Sequence, residues 1–173
     1  GGNIKYLVSG GASLDREVEK DLRTLGFDVL NGYGMTECAP MITFTRPGKF
    51  KIGSAGNKLF CNEIRIKDEE ILTKGPNVMM GYYGHPKATS EILIDGWLYT
   101  GDTGYVDDEG YLFITGRKKE TIVLSNGKNI NPEEVENALM RYPEIKHKTK
   151  SKIKFISCGP NIDFNSNISI IFS

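Results

Sequence analysis

The chain has 173 residues, 39% of them hydrophobic and 25% charged, which is enough for one ordinary domain, or parts of two, with a packed core. Its 22 basic residues balance 22 acidic ones, so the net charge of zero provides no field to attract nucleic acid or an acidic membrane surface. Three distant cysteines without zinc-binding spacing, no apolar run of membrane-spanning length and no signal-like start predict a cytoplasmic protein with neither transmembrane segment nor nucleic-acid partner.

A strand, a helix and a second strand are predicted at the start of the chain. Alternation from Ile4 to Ser9 indicates a mostly buried strand, and Phe27 to Leu30 indicates the next one. Between them Ser13 is the expected N-cap of a helix that ends at Gly26, and its expected apolar face consists of Leu14, Val18, Leu22 and Leu25. Such βαβ units bind ligands beyond the carboxyl ends of their strands.

Small and polar residues follow both predicted strands. Gly10-Gly11-Ala12 comes after the first strand, where it fits either a tight turn or close approach to a ligand. After the second, Tyr33 lies between Gly32 and Gly34 and offers a flat face to a planar base. The hydroxyl of Thr36 suits a phosphate oxygen, and the carboxylate of Glu37 suits a divalent cation. The stretch predicts a metal–nucleotide site, although Gly-aromatic-Gly also occurs in ordinary loops.

From Ala39 to Thr115 the chain reads as short antiparallel strands without a helical period. Ile64 to Thr73 predicts a hairpin around the acidic turn at residues 68–70, and Gly96 to Tyr99 predicts a further strand. Tyr105-Val106 is expected to pair with Tyr111 to Ile114. The region therefore predicts a small antiparallel barrel or sandwich.

Two polar motifs of this region have the chemistry of a nucleotide site. Asp102 follows Gly101 and could accept both hydroxyls of a ribose, or it could cap a turn. Arg117 follows Gly116 and could donate to ribose or phosphate oxygens, or form a surface ion pair. Together with Tyr33, these two residues would supply partners for the base and the ribose.

A separate unit is predicted after Lys119. Thr121 to Leu124 and Lys128 to Ile130 form a hairpin around Asn126-Gly127, and a helix begins at Asn131-Pro132. Residues 146–173 are rich in Lys, Asn, Ser and Ile and receive no fold assignment. The predicted divisions are residues 1–38, 39–115, 116–145 and 146–173.

The order of these motifs, from about Tyr6 to Ile145, resembles that of the adenylate-forming family, which includes acyl-CoA synthetases, luciferases and peptide-synthetase adenylation domains. The motifs that carry the resemblance are Gly10-Gly11-Ala12, Tyr33 to Glu37, Glu70 to Thr89, Tyr99 to Asp102, Gly116 to Lys119 and Ser125 to Glu136. Within the family, Gly116 to Glu120 and Asn126 to Asn129 are most similar to bacterial long-chain fatty acid CoA ligases.

The resemblance implies a fold with an α/β (βαβ) piece, an antiparallel β-barrel-like subdomain and the start of a small α+β carboxy-terminal domain. It implies a reaction in which ATP and a carboxylic acid give an acyl-adenylate, from which the thiolate of CoA, the co-substrate, displaces AMP. By resemblance, Thr36 and Glu37 are catalytic, since Thr36 binds the α-phosphate and Glu37 holds Mg²⁺.

The remaining roles come from the same resemblance. Tyr33 stacks on adenine, Asp102 and Arg117 hold the ribose, and the other nucleotide-binding residues are Gly10, Gly11, Ala12 and Gly34. Lys119 corresponds to a hinge, although from the sequence alone a solvated charge in a basic linker is the better explanation. The loop at Gly127 corresponds to one that lines the CoA channel.

The sequence departs from the family pattern in two elements that handle charge. The phosphate loop and the carboxy-terminal catalytic lysine of the family have no counterpart in it, and the tail after Ile145 departs from the pattern. We therefore expect a fragment of an acyl-CoA synthetase that is inactive alone. The alternatives are a nucleotide-binding module without catalysis and a scaffold that retains only a partner surface.

Overall fold

A computed structural model describes residues 2–120, 122–123, 129–130 and 132. The chain divides into two compact units, Gly1–Lys119 and Glu120–Ser173. No helix in the described part of the chain is long and apolar enough to cross a membrane.

The first unit begins with a mixed sheet that is built on the predicted βαβ crossover. Its strands are ordered β1-β2-β3-β4, with β1 parallel to β2 and the other pairs antiparallel. A short 3-10 turn, Thr36–Cys38, separates β2 from β3. The elements are β1 Tyr6–Ser9, α1 Arg16–Thr24, β2 Asp28–Gly34, β3 Met41–Phe44 and β4 Asn57–Lys58.

An antiparallel half-barrel sheet follows in the same unit. It has the order β5-β6-β8-β7, and β9 pairs with the long strand β8. The elements are β5 Glu63–Lys67, β6 Glu70–Lys74, α2 Pro86–Ile92, β7 Leu93–Ile94, β8 Trp97–Val106 and β9 Leu112–Arg117. The predicted fold class, a βαβ piece followed by an antiparallel barrel-like sheet, is confirmed.

The hairpin predicted around the acidic turn is present, although Glu70 is the first residue of β6 and not part of the turn. Lys67 pairs with Glu70, and the two residues between them, Asp68 and Glu69, have φ values of 50° and 64°. Positive φ at both central residues is typical of the type I′ turn that suits the twist of a hairpin. The predicted pairing of Val106 with the strand after the next turn is also present, opposite Leu112.

One buried core joins the two sheets. Ile42 of β3, Ile71 of β6, Leu98 of β8 and Leu112 of β9 are fully buried and belong to one hydrophobic cluster. Strands β3 and β4 continue the sheet of the βαβ unit beyond residue 38. The domain limits predicted at residues 38/39 and 115/116 stay predictions.

In the second unit the structure describes a short hairpin. Its strands are β10 Ile122–Val123 and β11 Asn129–Ile130, which pair antiparallel as predicted. Gly127, the predicted helix beyond Pro132 and the tail at 146–173 lie outside the described residues.

Two expectations about burial in the βαβ unit were wrong. Strand β1 is not mostly buried, since Tyr6 and Val8 are exposed. The expected apolar face of α1 is not uniformly buried either, because Val18 and Leu25 are exposed, whereas Glu19 is completely buried. The spacing of the apolar residues could not reveal the burial of Glu19, because the buried side of α1 is formed around the ion pair of Glu19 and Arg23.

The Glu19 carboxylate connects α1 to the loop before β4. One oxygen accepts from Arg23 Nε at 3.1 Å and Nη2 at 2.9 Å, and the other accepts the Gly53 N–H at 2.9 Å. The Arg23 guanidinium also lies 3.4 Å from the centre of the Phe50 ring. A buried carboxylate is tolerated because it is paired and hydrogen-bonded in this way.

The N-cap of α1 differs from the expected one. Asp15, not Ser13, caps the helix, with its carboxylate accepting the N–H groups of Glu17 at 2.8 Å and Val18 at 3.2 Å. An aspartate at this position also complements the positive end of the helix dipole. Ser13 lies two residues before Asp15, too early in the chain for its side chain to cap these amides.

Replacing Asp15 with alanine is expected to lower the free energy of unfolding by about 1 kcal/mol, because two amides of the first turn lose their acceptor. Ser13→Ala is the matched control and is expected to change it by less than about 0.5 kcal/mol. Urea unfolding followed by circular dichroism measures both variants. A larger loss in the Ser13 variant would contradict the observed cap.

Candidate functional site

Strand β2 carries the aromatic residue of the predicted site. The strand extends to Gly34, beyond the predicted end at Leu30, so Gly32, Tyr33 and Gly34 are strand residues and not a loop. The ring of Tyr33 is buried, with 8% of the residue exposed. Stacking of adenine on this ring, as the resemblance implies, stays a prediction.

The two glycines around Tyr33 are explained by the approach of β3. A Cβ at Gly34 would lie 1.7 Å from the carbonyl oxygen of Pro40, and one at Gly32 would lie 2.5 Å from Met41 Cε. The chain's own backbone therefore requires glycine at position 34, whereas at position 32 the obstacle is the flexible end of a side chain. The nucleotide contact predicted for Gly34 stays a prediction.

Asp102 lies on a bulge in β8. In the register between β6 and β8, Glu70 is opposite Thr103 and Leu72 is opposite Tyr99, so residue 71 faces residues 100–102. Gly101 has a φ of 75°, which a residue with a Cβ rarely adopts. Bulges of this kind re-aim a side chain out of the regular ladder.

Side chains satisfy the amides of the bulge. The Gly101 N–H donates to Glu70 Oε1 at 3.0 Å, and the Asp102 N–H donates to Thr100 Oγ1 at 3.1 Å. The Thr100 hydroxyl in turn donates to the carbonyl of Ile71 at 2.8 Å. The backbone that presents Asp102 is thus held by hydrogen bonds on both sides.

The structure brings Tyr33, Asp102 and Arg117 together. The Tyr33 hydroxyl donates to Asp102 Oδ2 at 2.7 Å, and Arg117 Nε donates to Oδ1 at 2.9 Å. Asp102 is 7% exposed, and it pairs with Arg117 across β8 and β9. Each carboxylate oxygen keeps a further lone pair that could accept a ligand hydroxyl.

Burial raises the pKa of Tyr33 well above its ordinary value, and the negative charge of Asp102 raises the pKa further, although the hydrogen bond with Thr100 opposes this. The phenol is therefore protonated over the physiological range and donates permanently to Asp102. In the unfolded chain the same phenol ionises near pH 10.

The free energy of unfolding is consequently expected to fall as pH rises above about 10, since only the unfolded state releases the Tyr33 proton. Tyr33→Phe lacks this contribution. Above about pH 10 its free energy of unfolding is therefore expected to decline less steeply than that of the wild type, by about 1.4 kcal/mol per pH unit. Urea unfolding between pH 8 and pH 11 measures both slopes. Tyr83→Phe, at a fully exposed tyrosine, should leave the slope unchanged. Equal slopes for wild type and Tyr33→Phe would contradict the burial of an uncharged phenol.

Thr36 and Glu37 lie in the 3-10 turn directly after this strand. Thr36 is exposed, so its hydroxyl is accessible to a ligand. Glu37 Oε1 accepts a hydrogen bond from the Tyr82 hydroxyl at 2.7 Å, and this bond raises the pKa of Tyr82. The Met79 N–H donates to the Glu37 carbonyl at 2.8 Å and holds the turn against the 79–82 segment.

The carboxylate of Glu37 fits a magnesium ion that arrives with a nucleotide. Mg²⁺ in such sites is bound by one or two carboxylates together with substrate phosphates and waters. The described residues contain no group of three or more His, Cys, Asp or Glu side chains that could hold a metal by themselves. Glu37 could supply a single protein ligand through the oxygen that does not face Tyr82.

The small-residue turn after β1 lies beside the middle of β2. A Cβ at Gly10 would be 3.6 Å from the carbonyl oxygen of Gly32, and Gly11 has a φ of 83°. Gly10, Gly11 and Ala12 are all exposed. The geometry explains the turn, and nucleotide contacts of these three residues stay a prediction.

Lys119 is the last residue of the first compact unit. The preceding residue, Lys118, is tied to the half-barrel, because its N–H donates to the Gly101 carbonyl at 2.9 Å. The hinge role of Lys119 stays a prediction, and the CoA-channel role of Gly127 lies outside the described residues.

Sequence reasoning assigned no role in the site to Glu70, Thr100 or Tyr82, although all three lie in motifs that carry the resemblance. Glu70 closes an acidic run that is typical of a solvated turn, and it is nevertheless 6% exposed. Only the pairing of β6 with β8 shows that it faces Gly101. Thr100 lies in a strand and Tyr82 in a loop, and neither residue carries a signal in the sequence that separates these roles from packing.

Known proteins resemble this chain in sequence and in fold. A family model described as AMP-binding enzyme matches residues 1–83. The long-chain-fatty-acid–CoA ligase FadD15 of Mycobacterium bovis is 41% identical over 146 residues, which cover 84% of this chain and 24% of that protein. The 2-succinylbenzoate–CoA ligase of Bacillus subtilis is 37% identical over 155 residues, covering 83% of this chain and 32% of that protein.

A solved structure shares the fold. The o-succinylbenzoate CoA synthetase of Bacillus subtilis in complex with its acyl-adenylate intermediate superposes with a TM-score of 0.76 at 37% identity, over 83% of this chain and 32% of that one. A structure of the same synthetase contains ATP and a magnesium ion, with a TM-score of 0.73 and 38% identity over 80% of this chain and 32% of that one.

The chain spans about a quarter to a third of the length of these relatives. Over that span it shares sequence with both ligases and its fold with the Bacillus subtilis synthetase. The chain belongs to the family of AMP-binding, adenylate-forming enzymes.

Proposed function

We propose that the described residues form the ribose- and metal-binding part of an adenylation site in an ATP-dependent acyl-CoA ligase. In this reaction a carboxylate oxygen attacks the α-phosphorus of ATP and pyrophosphate leaves, giving an acyl-adenylate. The sulfur of CoA then forms a thioester with the acyl carbon, and AMP leaves. The observation that carries the proposal is the buried Asp102 carboxylate, held between the Tyr33 hydroxyl and Arg117 Nε.

Each residue has a role that its surroundings support. Asp102 accepts the two ribose hydroxyls through its remaining lone pairs, and Tyr33 and Arg117 keep the carboxylate in place. Thr36 donates its exposed hydroxyl to a phosphate oxygen, and Glu37 holds magnesium. Magnesium, when bound, stabilises the charge that moves between the phosphates. Activation is needed because a carboxylate is a poor electrophile until its oxygen becomes part of a good leaving group.

The test of nucleotide binding compares AMP with 2′,3′-dideoxy-AMP by isothermal titration calorimetry. The dideoxy analogue is expected to bind at least about tenfold more weakly, because hydrogen bonds to a charged acceptor contribute about 1.5–3 kcal/mol each. Equal affinities would show that Asp102 does not bind ribose. Absence of binding at millimolar AMP would favour a scaffold role.

For the acid, we propose a fatty acid. This proposal is supported by the 41% identity with FadD15 and by the sequence of residues 116–120, which resembles that of bacterial long-chain fatty acid CoA ligases. The name of the Bacillus subtilis relative points to a different acid at 37% identity, so the two classes must be compared directly.

Pyrophosphate release with palmitate, ferulate and 2-succinylbenzoate makes this comparison. A rate that is highest with palmitate supports the fatty acid proposal, and a higher rate with either aromatic acid contradicts it. AMP binding without pyrophosphate release from any acid would agree with a fragment that is inactive alone and with the second candidate, a nucleotide-binding module without catalysis.

A further inference from the structure

Glu70 is a buried carboxylate to which the proposed ribose site assigns no role. It begins β6 and is 6% exposed. Oε1 accepts the Gly101 N–H at 3.0 Å, and Oε2 accepts from Lys118 Nζ at 2.9 Å. Gly101 directly precedes Asp102, and Lys118 directly follows Arg117, so one carboxylate holds the neighbours of both members of the ribose pair.

The contact with Gly101 replaces a missing ladder bond. Because the bulge in β8 removes residue 101 from the register with β6, the Glu70 side chain supplies the acceptor for its amide. Without this acceptor the Gly101 N–H would lose its partner, and the bulge could relax toward other backbone conformations. Asp102 would then leave the position in which Tyr33 and Arg117 hold it.

The contact with Lys118 closes a set of three hydrogen bonds. The Lys118 ammonium donates to Glu70, the Lys118 N–H donates to the Gly101 carbonyl at 2.9 Å, and the Gly101 N–H donates to Glu70. The hydrogen bond to Glu70 also raises the pKa of Lys118. The Lys118 side chain is 52% exposed, so its contribution to overall stability is small, and its main consequence is local order.

We propose that Glu70 is a positioning residue of the ribose site. Through Gly101 it sets the bulge that presents Asp102, and through Lys118 it sets the end of β9 that presents Arg117. This inference rests on the proposed function, because it concerns the ribose of the same nucleotide. It predicts that Glu70 affects recognition of the ribose hydroxyls and not binding of the rest of the nucleotide.

The test measures dissociation constants of AMP and 2′,3′-dideoxy-AMP for the wild type and for Glu70→Gln. The glutamine keeps an acceptor for Gly101 and loses the charge that orients Lys118. We expect the constant for AMP to rise about tenfold and that for the dideoxy analogue to rise less than about twofold, so the ratio between the ligands collapses. Glu63→Gln, at an exposed glutamate of the adjacent strand, is the matched control and should change neither constant.

Lys118→Met is the second variant, and it leaves the Glu70–Gly101 bond intact. It should raise the constant for AMP about tenfold, as Glu70→Gln does, and the double variant should bind AMP no more weakly than either single variant, since both act through one contact. The ¹H–¹⁵N resonances of Gly101 and Asp102 should shift in Glu70→Gln, while those of β1 and α1 remain in place.

The outcomes separate this inference from the function on which it rests. If the wild type does not distinguish the two ligands, the proposed function fails and this inference fails with it. If the wild type distinguishes them and both variants keep the wild-type ratio within about twofold, Glu70 is not a positioning residue and the proposed function stands. Equal weakening of both ligands in Glu70→Gln would indicate general destabilisation and would also overturn the inference.

Discussion

Asp102→Ala is expected to weaken AMP binding by at least about a hundredfold. Two ribose hydroxyls lose an ionised acceptor, and each such hydrogen bond contributes about 1.5–3 kcal/mol. The variant also leaves the Tyr33 hydroxyl and Arg117 Nε without the carboxylate that pairs them. Titration calorimetry with AMP measures the effect directly.

Two further variants make this result specific. Asp102→Asn preserves the shape of the side chain but removes its charge, and it is expected to bind AMP at least about tenfold more weakly than the wild type. Asp108→Ala, at an exposed aspartate of the turn after the same strand, should bind AMP normally. Circular dichroism should show that each variant is folded. Unchanged AMP affinity in a folded Asp102→Ala variant would remove the ribose site and leave the scaffold hypothesis.

Gly34→Ala is expected to lower the free energy of unfolding by about 3 kcal/mol, because the new methyl group would lie 1.7 Å from the carbonyl oxygen of Pro40. The obstacle is backbone, so no side-chain rotation can relieve it, and β2 and β3 must separate. Urea unfolding followed by tryptophan fluorescence, which reports on Trp97, measures the loss.

A glycine with open space around it provides the control. Gly48 has a φ of 74° and no atom within 4 Å of an added Cβ, so Gly48→Ala tests the cost of a left-handed conformation without a clash. We expect a loss of about 1 kcal/mol there. A smaller loss at Gly34 than at Gly48 would contradict the close approach of β3, and it would return Gly34 to the ligand-approach explanation.

The sequence by itself predicted the βαβ start, the later hairpins and the resemblance to the family. The expectation of strands alone between residues 39 and 115 was wrong, because Pro86–Ile92 forms helix α2, which is too short to show a clear helical period in the sequence. The turn at Asp68-Glu69 and the pairing of Val106 with Leu112 were predictable because hairpins depend on residues close together in the chain. The candidates Tyr33, Asp102 and Arg117 were also found from the sequence, since their motifs occur in a characteristic order. The roles of Gly10, Gly11, Ala12, Gly34, Thr36, Glu37, Lys119 and Gly127 remain predictions.

Only the tertiary structure decided which atoms contact one another. Tyr33 and Asp102 are separated by 69 positions and Glu70 and Lys118 by 48, so no local pattern could show that they share hydrogen bonds. The same holds for Glu19, whose burial depends on Gly53 and Phe50 in a distant loop. Local propensity specifies a strand or a turn, whereas a buried carboxylate is stable only where long-range packing brings donors to both of its oxygens.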